Sequence, residues 1–218
     1  MLKNFRGSSH RLLAEWVRAL PAESRILELG PGIGHIARLA GRRDVRWLGL
    51  EGAVDCVGEL RRILVSGAIV DLESLDRLPR WANVVLAADT LEHLSDPDRM
   101  LGAIHDALPP GGTLLLSVPN VANIYVRLNL LLGRFPYADR GILDRTHRYF
   151  FTARSLAEMV TARGFAIEAR TVSLIPLPLA LPFLPAAVLA VLSMALGLAT
   201  RLLPRLLGYQ LLLRVRRL

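Results

Sequence analysis

The sequence is short of the residues that would place it in several large classes. It has one cysteine, Cys56, in 218 residues, so no internal disulfide can form. Its opening residues, MLKNFRGSSH, lead into no apolar signal-peptide core. Folding and action in the cytoplasm are expected. Charged residues are only 21% of the chain against 52% hydrophobic ones, which excludes a disordered chain and a very polar soluble one. No charged residue occurs from Thr171 to Thr200. No acid occurs from Arg201 to Leu218, a stretch that holds Arg201, Arg205, Arg214, Arg216 and Arg217. The net charge of +8 would by itself raise nucleic acid or anionic membrane as partners. Arginines following an uncharged apolar segment suit a membrane surface, so no nucleic-acid partner is expected.

What is present reads as one α/β domain with a modest addition. Residues 8–20 carry Leu12, Leu13, Trp16 and Leu20 at helical spacing behind capping serines, and Pro21 stops that helix. Strands are expected at 25–29, 45–50, 68–70, 83–88 and 113–118, with helices at 33–42, 53–66 and 97–108 between them. Such alternation implies parallel strands with right-handed crossovers. A helix at 154–163 ended by Gly164, a sixth strand at 165–172 and a seventh at 208–215 complete the pattern.

Chemistry enters at Glu28-Leu29-Gly30-Pro31-Gly32-Ile33-Gly34, where glycines permit a tight turn and let a ligand approach the backbone. A dinucleotide site would want its third glycine at His35 and would aim a helix N-terminus at a pyrophosphate. An acid two residues before the first glycine would repel that group and would suit a cation. This stretch resembles motif I of class I S-adenosylmethionine-dependent methyltransferases, E/D-x-G-x-G-x-G. Ala87 to Leu94, with Leu91-Glu92-His93, is similar to the family's fourth-strand motif, and Pro109-Pro110-Gly111-Gly112 to its turn before the fifth strand.

The resemblance implies a Rossmann-like sheet of seven strands, mostly parallel with the last antiparallel, helices on both faces, and S-adenosylmethionine as cofactor. It places Gly30, Pro31, Gly32 and Gly34 on the amino-acid part of the cofactor, with Glu28 beside the sulfonium directly or through water. Glu51, at the end of the second strand and about 20 residues after the first glycine, is where a carboxylate takes both ribose hydroxyls, with Gly52 following it. Asp71 and Leu72 fall where the family meets the adenine, and Asp89 falls at the fourth-strand end. No metal is expected, because histidines and acids form no ligand cluster at recognisable spacing.

Residues 120–152 are expected to form a substrate lid outside the strand ends, where open α/β sheets bind ligands. Asn120, Asn123, Arg127, Arg145 and Tyr149 are its candidate acceptor contacts. The bland alternative pairs Arg145 with Asp144. His93 and His147 are the candidate bases, His93 being equally readable as a capping or core histidine. The run from P-N-V-A-N to D-R-T-H-R-Y-F-F-T resembles methyltransferases of type 11/12 linked to bacterial surface polysaccharide and glycoconjugate synthesis. That resemblance alone implies a glycan or lipid-linked acceptor.

Within a core of 1–174, an insert of 175–206 and a last strand with basic tail at 207–218, the insert needs its own account. Phe183 to Thr200 is barely long enough to span hydrocarbon, and Pro176, Pro178, Pro182 and Pro185 interrupt its approach. One crossing would strand the seventh strand on the wrong side. An apolar helical insert resting on the inner face of the cytoplasmic membrane, its arginines meeting lipid phosphates, is therefore expected. A homodimer interface is the competing cover for it. Rival functions are a quinone or other lipid methyltransferase, and a non-catalytic module that binds membrane or a partner.

Overall fold

The computed structural model describes residue 5 and residues 7–61, 66–181 and 183–218. Its strands are β1 (Arg25–Leu29), β2 (Arg46–Glu51), β3 (Ser66–Ile69), β4 (Val84–Ala88), β5 (Thr113–Pro119), β6 (Phe165–Val172) and β7 (Gln210–Arg217). They form one sheet in the order β3-β2-β1-β4-β5-β7-β6. Strands β1 to β5 pair in parallel, and β7 lies antiparallel to both β5 and β6. The helices are α1 (Ser9–Arg18), α2 (His35–Ala40), α3 (Val54–Arg61), α4 (Pro97–Ala107), α5 (Ile124–Leu131), α6 (Ala153–Ala162), α7 (Leu177–Ala180), α8 (Ala186–Leu202) and α9 (Pro204–Leu207).

The central strands are apolar at nearly every position because both faces are covered. Ile26, Leu86, Leu115 and Leu212 point toward α1 and α2, packing with Leu13, Val17 and Ile36. Their neighbours Leu27, Val85, Leu114, Leu116 and Leu213 point the other way, toward Leu101, Ile104, Leu156 and Val160 of α4 and α6. Each such fully buried leucine contributes roughly 1.5–3 kcal/mol. The chain winds outward from β1 to β3 and returns on the other side of β1 as β4. That reversal opens a crevice at the carboxyl ends of β1 and β4.

The expected helix at 53–66 is observed as α3, and its last part lies outside the described residues, as does Pro182. Helix α5 was not expected within the lid; Asn123 starts it by accepting the Tyr125 N–H at 3.0 Å. The insert between β6 and β7 is helical. Of the 17 residues of α8 only Thr200 is buried, while Val191, Met194 and Leu198 are exposed. Among the described residues no helix is long and apolar enough to cross a membrane.

The basic tail divides in a way the sequence does not reveal. Arg214 and Arg216, two apart on one face of β7, both pair with Glu168 of β6, at 3.1 and 3.0 Å. Arg217 donates to the Leu108 carbonyl at the far end of the sheet. Arg201 and Arg205 are the arginines at the insert's edge, in α8 and α9.

Candidate active site

At the end of β1 the chain turns through Gly30, Gly32 and Gly34, with φ of 66°, 56° and 72°. A side chain there costs about 1–2 kcal/mol per residue. A Cβ built on Gly32 would meet no protein atom within 4 Å, so its space is open. Packing within the chain does not explain this glycine, but a ligand lying on the turn would. Glu51 braces the loop: its carboxylate accepts from the Gly32 N–H at 2.6 Å and the Ala53 N–H at 3.0 Å. Each oxygen retains a second acceptor position, so the pair can still take a diol. Pro31 packs onto Gly49 of β2, where a Cβ would come within 2.8 Å of its ring. Thr90 ties β1 to β4 by donating to the Leu29 carbonyl at 2.8 Å.

Glu28 is placed differently from the expectation. Its carboxyl is 2% exposed, on the α2 side of the sheet, and accepts from Trp47 Nε1 at 2.8 Å. Burial pushes its pKa up to about 8, opposed by the Trp47 bond and assisted by Glu51 nearby. Its carboxyl is engaged by Trp47 and closed off from solvent. Gly52 lies in the bend after β2, and Asp71 caps the turn at Leu72–Ser74, accepting from the Glu73 N–H at 3.0 Å.

Asp89, just past β4, has φ of 53°, a left-handed conformation that aspartate adopts more readily than most side-chain-bearing residues. Its Oδ1 accepts from Ser117 Oγ of β5 at 2.9 Å and from Gln210 Nε2 of β7. Burial, with the Asp89 charge adding, raises the neighbouring Tyr209 hydroxyl above its ordinary pKa. Trp47, Thr90, Ser117, Tyr209 and Gln210 were missed by sequence reading. Thr90 lies within the fourth-strand motif without being singled out, the other four lie outside the motifs, and only the sheet order brings the last two to β5.

The lid folds back onto Leu91–His93, a 3-10 turn following β4. The Arg148 and Tyr149 N–H groups both donate to the Glu92 carbonyl, at 2.8 and 3.0 Å. This brings His93 and His147 together, edge to face at 4.9 Å. His147 is held below its ordinary pKa, mainly by burial. Ligand atoms of Glu92, His93 and His147 all lie within 4.8 Å of one another. No recognisable spacing in the sequence marks this group, because its members come from segments far apart in the chain.

Several expected acceptor contacts are corrected. Asn120 is fully buried and donates to the carbonyls of Arg205 and Gly208; Asn123 is 1% exposed and donates to the same Gly208 carbonyl. With these amide groups used inside the protein, both fasten the lid to the residues leading into β7. Arg127 donates back to the Ala122 carbonyl. Arg145 pairs with Asp139 at 3.4 Å, not with Asp144, whose carboxylate instead accepts from Thr146. Tyr149 is exposed and lies against Phe151. A depression lined by Arg25, Arg80, Trp81 and Arg217 lies at the opposite edge of the sheet, away from the glycine turn.

A family model described as a methyltransferase domain matches residues 4–170. The chain belongs to that family. A ubiquinone biosynthesis O-methyltransferase of Aeromonas salmonicida is 27% identical over 154 residues, covering 66% of this chain and 63% of that protein. The match therefore spans less than two thirds of that relative. An S-adenosylmethionine-dependent methyltransferase structure from Mesorhizobium loti superposes with a TM-score of 0.63 at 19% identity, covering 97% of this chain and 99% of that one. The [4+2]-cyclase SpnF gives a TM-score of 0.60 at 19% identity, over 95% and 81% of the two chains. The fold is thus the Rossmann-like methyltransferase fold, which alone does not fix the reaction. Family and fold imply S-adenosylmethionine as cofactor, and the open space over Gly32 beside a braced Glu51 fits it.

Proposed function

We propose that this chain transfers the methyl group of S-adenosylmethionine to a hydroxyl oxygen of a glycan or lipid-linked acceptor at the inner face of the cytoplasmic membrane. The observation that carries the reading is the convergence of three features on one sheet edge. These are the glycine turn at the end of β1, the His93–His147 pair under the lid, and the exposed apolar helix α8 between β6 and β7. When bound, S-adenosylmethionine supplies an electrophilic methyl carbon for in-line displacement. Gly30, Gly32 and Gly34 hold its amino-acid part, Glu51 orients the ribose, and the segment at Asp71 and Leu72 meets the base. The lid excludes water and sets the acceptor oxygen in line, where positioning supplies much of the rate. The imidazole pair receives the hydroxyl proton as the oxygen–methyl bond forms and the carbon–sulfur bond breaks.

A phenolic lipid, such as a quinone precursor, is the second reading, favoured by the similarity to ubiquinone O-methyltransferases. Both acceptors share a hydroxyl presented at a membrane. The deciding experiment incubates the protein with S-adenosylmethionine labelled in the methyl group, and with glycolipid or isoprenoid-phenol extracts in vesicles. Label in the first supports the proposal, and label in the phenol supports the second reading. Cofactor binding with no transfer to either would point to a non-catalytic module.

A further inference from the structure

We infer that Glu92, His93 and His147 form a binding site for a divalent first-row transition metal, with Zn2+ as the probe ion. The three donors lie within 4.8 Å of one another. Donors around one ion at about 2.0–2.2 Å stand roughly 3–3.5 Å apart, so small side-chain rotations close the cluster. Two imidazoles and one carboxylate suit Zn2+, Mn2+ or Fe2+; Mg2+ and Ca2+ prefer all-oxygen sites. Three protein ligands also leave coordination positions for a water or an acceptor, as in catalytic rather than structural sites.

The surroundings are arranged as metal sites arrange them. Histidine ligands usually give their other ring nitrogen to a carbonyl or a carboxylate-linked group, which fixes the tautomer. His147 Nδ1 lies 3.0 Å from the Ile142 carbonyl, an acceptor only, so Nδ1 carries the hydrogen and Nε2 is left with its lone pair. His93 Nδ1 lies 3.2 Å from Thr146 Oγ1, which itself donates to Asp144 Oδ1 at 2.6 Å. The threonine hydroxyl has spent its one proton on the carboxylate, so it accepts from His93, again leaving Nε2 as the ligand atom. The two backbone hydrogen bonds from Arg148 and Tyr149 to the Glu92 carbonyl lock the ligand segments together. Glu92, at 1% exposure, offers its carboxyl oxygens from the inner side, while His93 is exposed and opens the cluster to solvent.

An ion here would polarise the acceptor hydroxyl and lower its pKa so that its proton passes to solvent water at the exposed side of the cluster, in place of transfer to the imidazole pair, whose Nε2 lone pairs the ion would occupy. That role rests on the proposed methyl transfer; binding of the ion does not. A ring contact between two histidines is the ordinary alternative, and it predicts no ion affinity.

The test uses the full chain, stripped with chelator and titrated calorimetrically with ZnCl2 and, separately, MgCl2, without cofactor. We expect saturable Zn2+ binding with a stoichiometry near one, and no Mg2+ binding at equal concentration. His93→Ala, His147→Ala and Glu92→Gln should each weaken Zn2+ at least tenfold. His93 is exposed, so its variant should keep the wild-type fold even if Glu92→Gln does not. His35→Ala, which removes an unrelated histidine pair with His10, should leave the affinity unchanged. Absence of Zn2+ binding, or binding indifferent to His93→Ala and His147→Ala, would overturn the inference. S-adenosylmethionine is titrated into the same samples. Cofactor binding without Zn2+ binding sinks the metal site alone, and the reverse sinks the methyltransferase reading alone.

Discussion

Glu28→Gln isolates the electrostatic cost of the carboxyl beneath the glycine turn. Glutamine has the same shape and its amide oxygen can still accept from Trp47 Nε1, so the perturbation is the loss of the ionisable proton. In the folded protein the Glu28 pKa is raised to about 8 from 4.5. The folded state therefore holds a proton that the unfolded chain gives up above pH 4.5. The stabilising contribution is complete below 4.5 and is lost as pH rises toward 8, at about 1.4 kcal/mol per pH unit. Between pH 5 and pH 8 this linkage removes roughly 3 kcal/mol from the wild type and nothing from the variant. Urea unfolding of both proteins at pH 5, 6, 7 and 8 should show the variant gaining on the wild type by that amount. Parallel stability curves over the range would mean that Glu28 ionises normally, and the argument that it sits protonated under the turn would fail.

Gly32→Ala should cost about 1–2 kcal/mol of stability from its left-handed backbone, and its methyl enters the open space over the turn. Calorimetry should then show cofactor affinity reduced at least tenfold; unchanged affinity would remove the cofactor from that space. Glu51→Ala should weaken cofactor binding as well, and normal affinity would refute its ribose role. Asn120→Ala removes the hydrogen bonds donated to the Arg205 carbonyl and to the Gly208 carbonyl, which Asn123 still serves, costing about 1–2 kcal/mol in denaturant unfolding, while cofactor affinity is retained. Met194→Asp with Leu198→Asp places charge on side chains 73% and 62% exposed, so stability should hold while flotation with anionic vesicles falls. Unaltered flotation would detach α8 from the membrane reading.

The central strands were legible because burial on both faces writes them as apolar runs, and β1 falls on the residues expected for it; the edge strand β6, with only Phe165 buried, falls on its expected residues because Gly164 marks its start. Helix α5 was not, because Leu128, Leu130 and Leu131 are exposed and give no one-sided apolar stripe. The glycine turn could be read because it is local, seven residues whose spacing is the motif. Asn120 and Asn123 misled for the complementary reason. Polar residues beyond a strand end look like ligand contacts until their partners appear, and theirs are the carbonyls of Arg205 and Gly208 on the approach to β7, some 85 residues away. The Glu92, His93 and His147 cluster is illegible by the same rule, since it exists only through the lid's hydrogen bonds to the Glu92 carbonyl.

Topology explains why the insert and the site share an edge. Because β7 is antiparallel to both neighbours, β6 runs with β5 and ends at the carboxyl edge, where β1 and β4 deliver Gly30 and Asp89. Any segment between β6 and β7 must leave and return at that edge. Its return is bonded into the site: Gln210, the first residue of β7, donates to Asp89, and the Gly208 carbonyl before it is held by Asn120 and Asn123. A surface that docks α8 therefore bears on the residues that shape the lid and the fourth-strand end. An acceptor drawn from that surface reaches the strand ends without crossing the sheet.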